Sequence, residues 1–319
     1  MADVSASGSS PDAPRQRASF IAALRERWRA TGSLICVGLD PDLARIPASA
    51  RGAADDGSDD GSDDGSDGSD GSDDNVEAAL LNFTQAIVDA TADLVCAFKP
   101  NSAFFEQHGV PGQRALQRLI AHIHARYPAV PVILDAKRGD IGSTSTAYAR
   151  AAFDALGADA ITLHPYLGRE ALDPFLKRAD RGCIILCRTS NPGAGEFQDL
   201  ALRAADGDER PLYQRVARAV ASEWNAAGNC ALVVGATYPE ELRTVRALAG
   251  DLPILVPGVG AQGGDLEAVI RNGRDPQGHG LIISLSRSVL YASSGADFAE
   301  AARREVQRTL RVIAEATGG

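Results

Sequence analysis

Eight short apolar runs, separated by amphipathic stretches, constrain this chain more than any other feature of its sequence. The runs are Leu34–Leu39, Leu94–Phe98, Val132–Leu134, Ala160–Leu163, Cys183–Cys187, Ala231–Val234, Ile254–Val256 and Leu281–Leu285. Between them, apolar residues recur at helical spacing, as in Val76–Thr91, Gln113–Arg126, Thr144–Leu156, Leu212–Ala227 and Pro239–Leu248. Strands that are apolar throughout must be buried on both faces, and intervening helices supply the cover, which predicts a parallel sheet. Eight such units in about 280 residues fit an α/β fold of the (β/α)8 TIM-barrel kind better than an open doubly wound sheet.

Two segments fall outside this alternation. Residues 1–17 are polar, lack the apolar core of a secretory signal and are expected to form a disordered tail. Residues 52–75 are a near-repeat of Asp, Gly and Ser that cannot bury enough surface to offset ordering, so disorder is expected there too. The remainder, 18–319, is expected to be a single barrel domain interrupted by that insertion. The insertion carries ten aspartates and no Lys or Arg, against a formal net charge of −10 for the whole chain. The rest is therefore neutral, and no basic surface for nucleic acid is indicated. Its spacing lacks the Glu that a calcium loop places at its twelfth position. No apolar run reaches the ~18 residues of a membrane span, so no membrane partner is expected.

The five cysteines (Cys36, Cys96, Cys183, Cys187 and Cys230) lie in short apolar surroundings and read as buried free thiols of a cytoplasmic protein. Cys183 and Cys187, four apart on one strand, would stand ~13 Å from each other, beyond disulfide reach. Only Lys99, Lys137 and Lys177 are lysine, against 29 arginines. Arginine cannot give up its proton near neutral pH and lysine can, so these few lysines are candidates for chemistry.

The strands end in polar residues: Asp40, Lys99, Asp135 with Lys137, His164, Thr189 with Ser190, Thr237, Gly258 to Gln262, and Arg287. Barrel enzymes place their chemistry at these C-terminal strand ends. Asp135-Ala-Lys137-Arg-Gly-Asp140 is the densest cluster; on a regular strand Asp135 and Lys137 point the same way, into the barrel mouth. His122 and His124 are two apart on a helix and cannot share a metal, and His164 serves equally well as a hydrogen-bonded structural residue. No metal site is expected.

The stretch Leu134-Asp-Ala-Lys-Arg-Gly-Asp-Ile-Gly-Ser-Thr resembles the active-site signature of the orotidine 5′-phosphate decarboxylases, in their bacterial type 2 subfamily. The resemblance continues in Val37-Gly-Leu-Asp40-Pro, Phe98-Lys99-Pro-Asn101, Arg188-Thr-Ser190-Asn-Pro192, Pro257-Gly-Val-Gly-Ala-Gln262 and Ser286-Arg287-Ser. It implies a barrel enzyme that converts orotidine 5′-monophosphate to UMP without metal or cofactor. Lys137 would be the proton donor, and Lys99, Asp135 and Asp140 the rest of a Lys-Asp-Lys-Asp network. It further implies a homodimer, with Asp140, Ile141 and Thr144 reaching the site of the partner subunit. Asp40 matches a ribose hydroxyl ligand, Ser190 the pyrimidine contact, and Gln262 and Arg287 the phosphate grip. Pro257 and Gly260, in the same strand-seven loop as Gln262, are counted with the substrate-binding residues.

Gly258-x-Gly260-x-x-Gly263 also satisfies the dinucleotide pattern. The next strand, however, ends in Ser286 and Arg287 rather than the acid that would hold a ribose diol. The seventh unit is also where barrels bind phosphate. Three alternatives remain at this stage: a keto-gulonate phosphate decarboxylase or hexulose phosphate synthase relative with acid-held magnesium, a Schiff-base aldolase built on Lys137, and a non-catalytic nucleotide-binding barrel. Against the first stands Lys99, placed where a metal site wants a carboxylate.

Overall fold

The computed structural model describes residues 18–51, 71–203, 207, 209–259 and 265–317. The tail 1–17, residues 52–70 of the insertion, and Gly260 and Gln262 lie outside the described residues. Eight parallel strands form the barrel: β1 (Ile35–Leu39), β2 (Ala97–Pro100), β3 (Ile133–Arg138), β4 (Ala160–Leu163), β5 (Gly182–Arg188), β6 (Cys230–Val234), β7 (Ile254–Pro257) and β8 (Leu281–Leu285). Their hydrogen-bonded order runs β2-β1-β8-β7-β6-β5-β4-β3. Parallel bridges Phe98↔Val132 and Asn101↔Asp135 bring β2 to β3 and close the cylinder.

Strands β1, β4, β6 and β8 are buried at every residue, as continuous apolar runs require when helices cover one face and the barrel interior the other. The first helix, α1 (Phe20–Thr31), packs across the N-terminal strand ends. Phe20 sits against Gly182 at the start of β5, where a Cβ would meet its ring at 2.3 Å. Trp28 stacks on His279 just before β8, and Arg27 donates to the carbonyls of Ala92 and Val95 just before β2. That end of the barrel is thereby plugged, and the opposite end is left for the site.

The structure departs from the sequence expectations in three places. Helix α2 spans Gly71–Thr91, so residues 71–75, counted with the insertion on composition, are helical. Asp73 and Asp74 fall in its first turn, where negative charge favours the helix dipole. A short antiparallel hairpin, Ala201–Arg203 with Glu209–Pro211, follows β5; its three-residue strands are mostly exposed and lack the apolar pattern that signals a strand. Finally, β3 continues beyond its apolar run to Arg138 and does so irregularly. All five cysteines are free and buried.

Candidate active site

Two adjoining cavities of about 320 and 760 Å³ open at the C-terminal end of the barrel and share Lys99, Asp135 and Pro257 as walls. Asp40, Arg287, Gly258 and Tyr291 line the smaller lobe, and Lys137, Thr162, Ser190 and Gln198 the larger. A third cavity, of about 430 Å³, lies behind β3 and is lined by none of the candidate site residues.

Asp135 is the centre of the charge network. Lys99, 4% exposed, donates to its Oδ2 at 3.0 Å, and Lys137 donates to its Oδ1 at 2.6 Å. Burial alone would raise the Asp135 carboxyl, but the two ammonium groups outweigh it and hold the group well below the usual carboxylate range. Burial likewise works against the Lys99 ammonium, yet Asp135 and then Asp40 outweigh that loss and hold it above its ordinary value. The side chain of Lys137, in contrast, is half exposed and faces the larger lobe.

Lys137 does not reach this position by plain strand alternation. The β3–β4 register runs from Leu134↔Ile161 to Arg138↔Leu163, so two extra residues bulge from β3. Among the described residues Lys137 is the only non-glycine with positive φ, at 48°. A bulge re-aims a side chain at the cost of ladder hydrogen bonds. Asp135 and Lys137 do meet, as expected, but for a tertiary reason.

At the ends of β1 and β8, Ser286 donates to Asp40 Oδ2 at 2.6 Å. Gly38 permits the approach, since a Cβ there would stand 2.9 Å from that of Ser286. Asp40 Oδ1 is buried and has no hydrogen-bond partner among the described residues, so one acceptor in the smaller lobe is open to a hydroxyl donor. Arg287 is exposed at the rim of the same lobe, and the Arg45 guanidinium lies 3.7 Å above the Tyr291 ring beside it.

Ser190 and Pro192 line the larger lobe on the loop after β5. Gln198 organises that loop, accepting from the Thr189 amide at 2.9 Å and donating to the Thr189 hydroxyl at 2.8 Å. Buried Arg188 braces it from below, donating to Gln198 and Asp199 and stacking 3.9 Å over Tyr238.

Asp140, Ile141 and Thr144 are not brought into either lobe. Asp140 and Ile141 lie on the turn after β3, where Asp140 Oδ1 accepts from the Ile141 amide at 2.7 Å and Ile141 is 61% exposed, and Thr144 lies in the first turn of the helix Gly142–Arg150 that follows. His164 is structural: its Nε2 is 2.9 Å from the Gly139 carbonyl, and a Cβ at Gly139 would stand 2.8 Å from that nitrogen. Sequence reasoning missed Thr162 and Gln198. Thr162 is a polar residue in the fully buried run Ala160-Ile-Thr162-Leu163, which is a usable signal. Gln198 ends a four-residue helix, Gly195–Gln198, and carried no signal.

A sequence profile of the Orotidine 5′-phosphate decarboxylase / HUMPS family matches residues 33–304. A curated orotidine 5′-phosphate decarboxylase of Azoarcus sp. (strain BH72) is 52% identical over 294 residues, covering 92% of this chain and 98% of its own length. That of Aromatoleum aromaticum is 52% identical with the same coverage. Among solved structures, the OMP decarboxylase of Leishmania donovani superposes with a TM-score of 0.74 at 35% identity, covering 94% of this chain and 99% of that one.

Proposed function

The chain belongs to the Orotidine 5′-phosphate decarboxylase / HUMPS family, and from that premise we propose that it decarboxylates orotidine 5′-monophosphate to UMP, with Lys137 as the proton donor. The observation that carries this reading is the Lys99–Asp135–Lys137 array at the barrel mouth, a buried ion pair joined to a half-exposed lysine. In the reaction the bond between C6 and the carboxylate breaks, CO2 leaves, and the electron pair stays on C6 with no neighbouring carbonyl to delocalise it. Fixed charge must then stabilise the carbanion, a contribution that is usually the largest in catalysis. The Lys137 ammonium faces the larger lobe, attracts the developing charge and transfers its proton to C6. Its half-exposed position lets water restore the proton. Lys99 keeps Asp135 ionised, and Asp135 in turn fixes Lys137.

The remaining contacts follow the resemblance of the strand-end motifs, and Asp40, Ser190, Pro257 and Arg287 line the two lobes. Ser190 serves the pyrimidine, Asp40 Oδ1 accepts from a ribose hydroxyl, and Arg287 with Pro257, Gly260 and Gln262 holds the phosphate. Binding energy at the phosphate supports orientation at the distant C6. No metal or cofactor takes part. Lys99, whose ammonium stands 3.0 Å from Asp135, occupies a place where a magnesium site would want a carboxylate. A Schiff-base role would need Lys137 free of the carboxylate it contacts at 2.6 Å.

The enzyme acts in the cytoplasm as a homodimer, with Asp140, Ile141 and Thr144 completing the site of the partner subunit. Their position on the turn after β3 and the start of the next helix, with an exposed apolar Ile141, supports this. Mixing Lys137→Ala and Asp140→Ala proteins should restore some activity, because one hybrid site then holds both native residues; no recovery after confirmed subunit exchange refutes the shared site. The activity is tested by the absorbance loss of orotidine 5′-monophosphate with EDTA present. Turnover is expected, and none from folded protein overturns the assignment.

A further inference from the structure

We infer that Thr162 is the residue that positions Lys137, through a single hydroxyl that replaces the ladder bonds lost at the β3 bulge. Its side chain is 1% exposed, on β4 opposite the bulge. Its Oγ accepts from the backbone amides of Ala136 at 3.0 Å and Lys137 at 2.9 Å. The same Oγ donates its proton to Asp135 Oδ1 at 2.9 Å, the oxygen that also receives the Lys137 ammonium.

Three separate demands meet at this one atom. The register jump leaves two consecutive β3 amides without carbonyl partners on β4, and buried amides without partners are costly. The positive φ of Lys137 is unfavourable for a residue with a Cβ and persists only where the surroundings hold it. The Asp135 carboxylate must also keep one rotation for its two oxygens to receive different lysines. The Thr162 hydroxyl satisfies both amides, holds the strained backbone and fixes the carboxylate. Valine has the same shape and does none of these things. Without the hydroxyl, the bulge relaxes toward regular strand and the Lys137 ammonium moves relative to the cavity. The substrate-gripping residues Asp40, Ser190 and Arg287 lie on other elements and are untouched.

This inference rests on the decarboxylase reading, so wild type and variants are assayed together on orotidine 5′-monophosphate. Misplacement of a reacting group by about 1 Å costs on the order of 100-fold, so Thr162→Val should lower kcat roughly 10- to 100-fold with KM within about threefold. Thr162→Ser, which keeps the oxygen, should recover kcat to within about threefold of wild type. Should the valine protein fail to fold, Thr162→Ala carries the same comparison. A hydroxyl-less variant with wild-type kcat overturns the inference. So does a serine variant as impaired as valine, or a loss confined to KM. A wild type that leaves the substrate unchanged refutes the decarboxylase reading itself, a result distinct from the other three.

Discussion

Asp135→Asn should destabilise the protein by stranding Lys99. The replacement keeps the shape of the side chain and removes its charge. Lys99 and Asp135 have side chains only 5% and 11% exposed, so their pairing is a buried one. Removing one partner of a buried pair costs about 3–5 kcal/mol, because the other charge is left desolvated. Lys137 is half exposed and regains water, adding little. Asp40 also acts on Lys99, which places the expected loss at the lower end, about 3 kcal/mol. For a domain of this size that corresponds to a fall in Tm of roughly 6–12 °C. The carboxyl is depressed below its ordinary value of 3.8, so its contribution is complete above that pH and is lost as pH falls through the folded value. The gap between wild type and Asp135→Asn, followed by circular dichroism during heating, should therefore stay constant from pH 8 to about 5 and narrow below about 4. Adding Lys99→Met to Asp135→Asn should restore most of the lost stability, since no buried charge is then stranded. A single variant as stable as wild type, or a double variant no better than the single, would refute the reasoning.

Arg287→Ala should lower kcat/KM roughly 30- to 1,000-fold, the worth of a charged hydrogen bond of about 2–4 kcal/mol, yet match wild type on a substrate lacking phosphate. An equal loss on both substrates would exclude Arg287 as a phosphate ligand. Removing residues 54–70 while keeping the Asp73 and Asp74 helix start should leave kcat/KM within a few-fold, since loop length costs little; a larger loss in folded protein counts against this. At the opposite end of the barrel, Arg246 donates to the carbonyls of Gly250, Leu252, Gly273 and Gly280 at 2.7–2.8 Å. Arg246→Ala should cost more than about 3 kcal/mol by denaturant unfolding, with activity per folded molecule unchanged; unaltered stability would refute that role.

The barrel was legible because its cause is local: each run of apolar residues, and each helix with one apolar face, declares what it must bury. Ala160–Leu163 and Leu281–Leu285 stand in the structure with the boundaries their apolar runs indicate. The identities at the strand ends were equally legible, since barrel enzymes place their chemistry at the C-terminal ends of the strands, and polar residues closing apolar runs need a reason. What one strand does to another is written in no single segment. Lys99 and Asp135 are 36 positions apart, and their 3.0 Å contact depends on how β2 and β3 are staggered where the cylinder closes. The bulge in β3, the positive φ of Lys137 and the choice of Thr162 as its clamp arise only from pairing with β4. The outward turn that keeps Asp140 out of the cavities of its own chain is likewise a tertiary result. Sequence patterns report what each segment buries, and hence the fold. Register, strain and the meeting of charges depend on contacts between distant segments, and the folded barrel alone sets them.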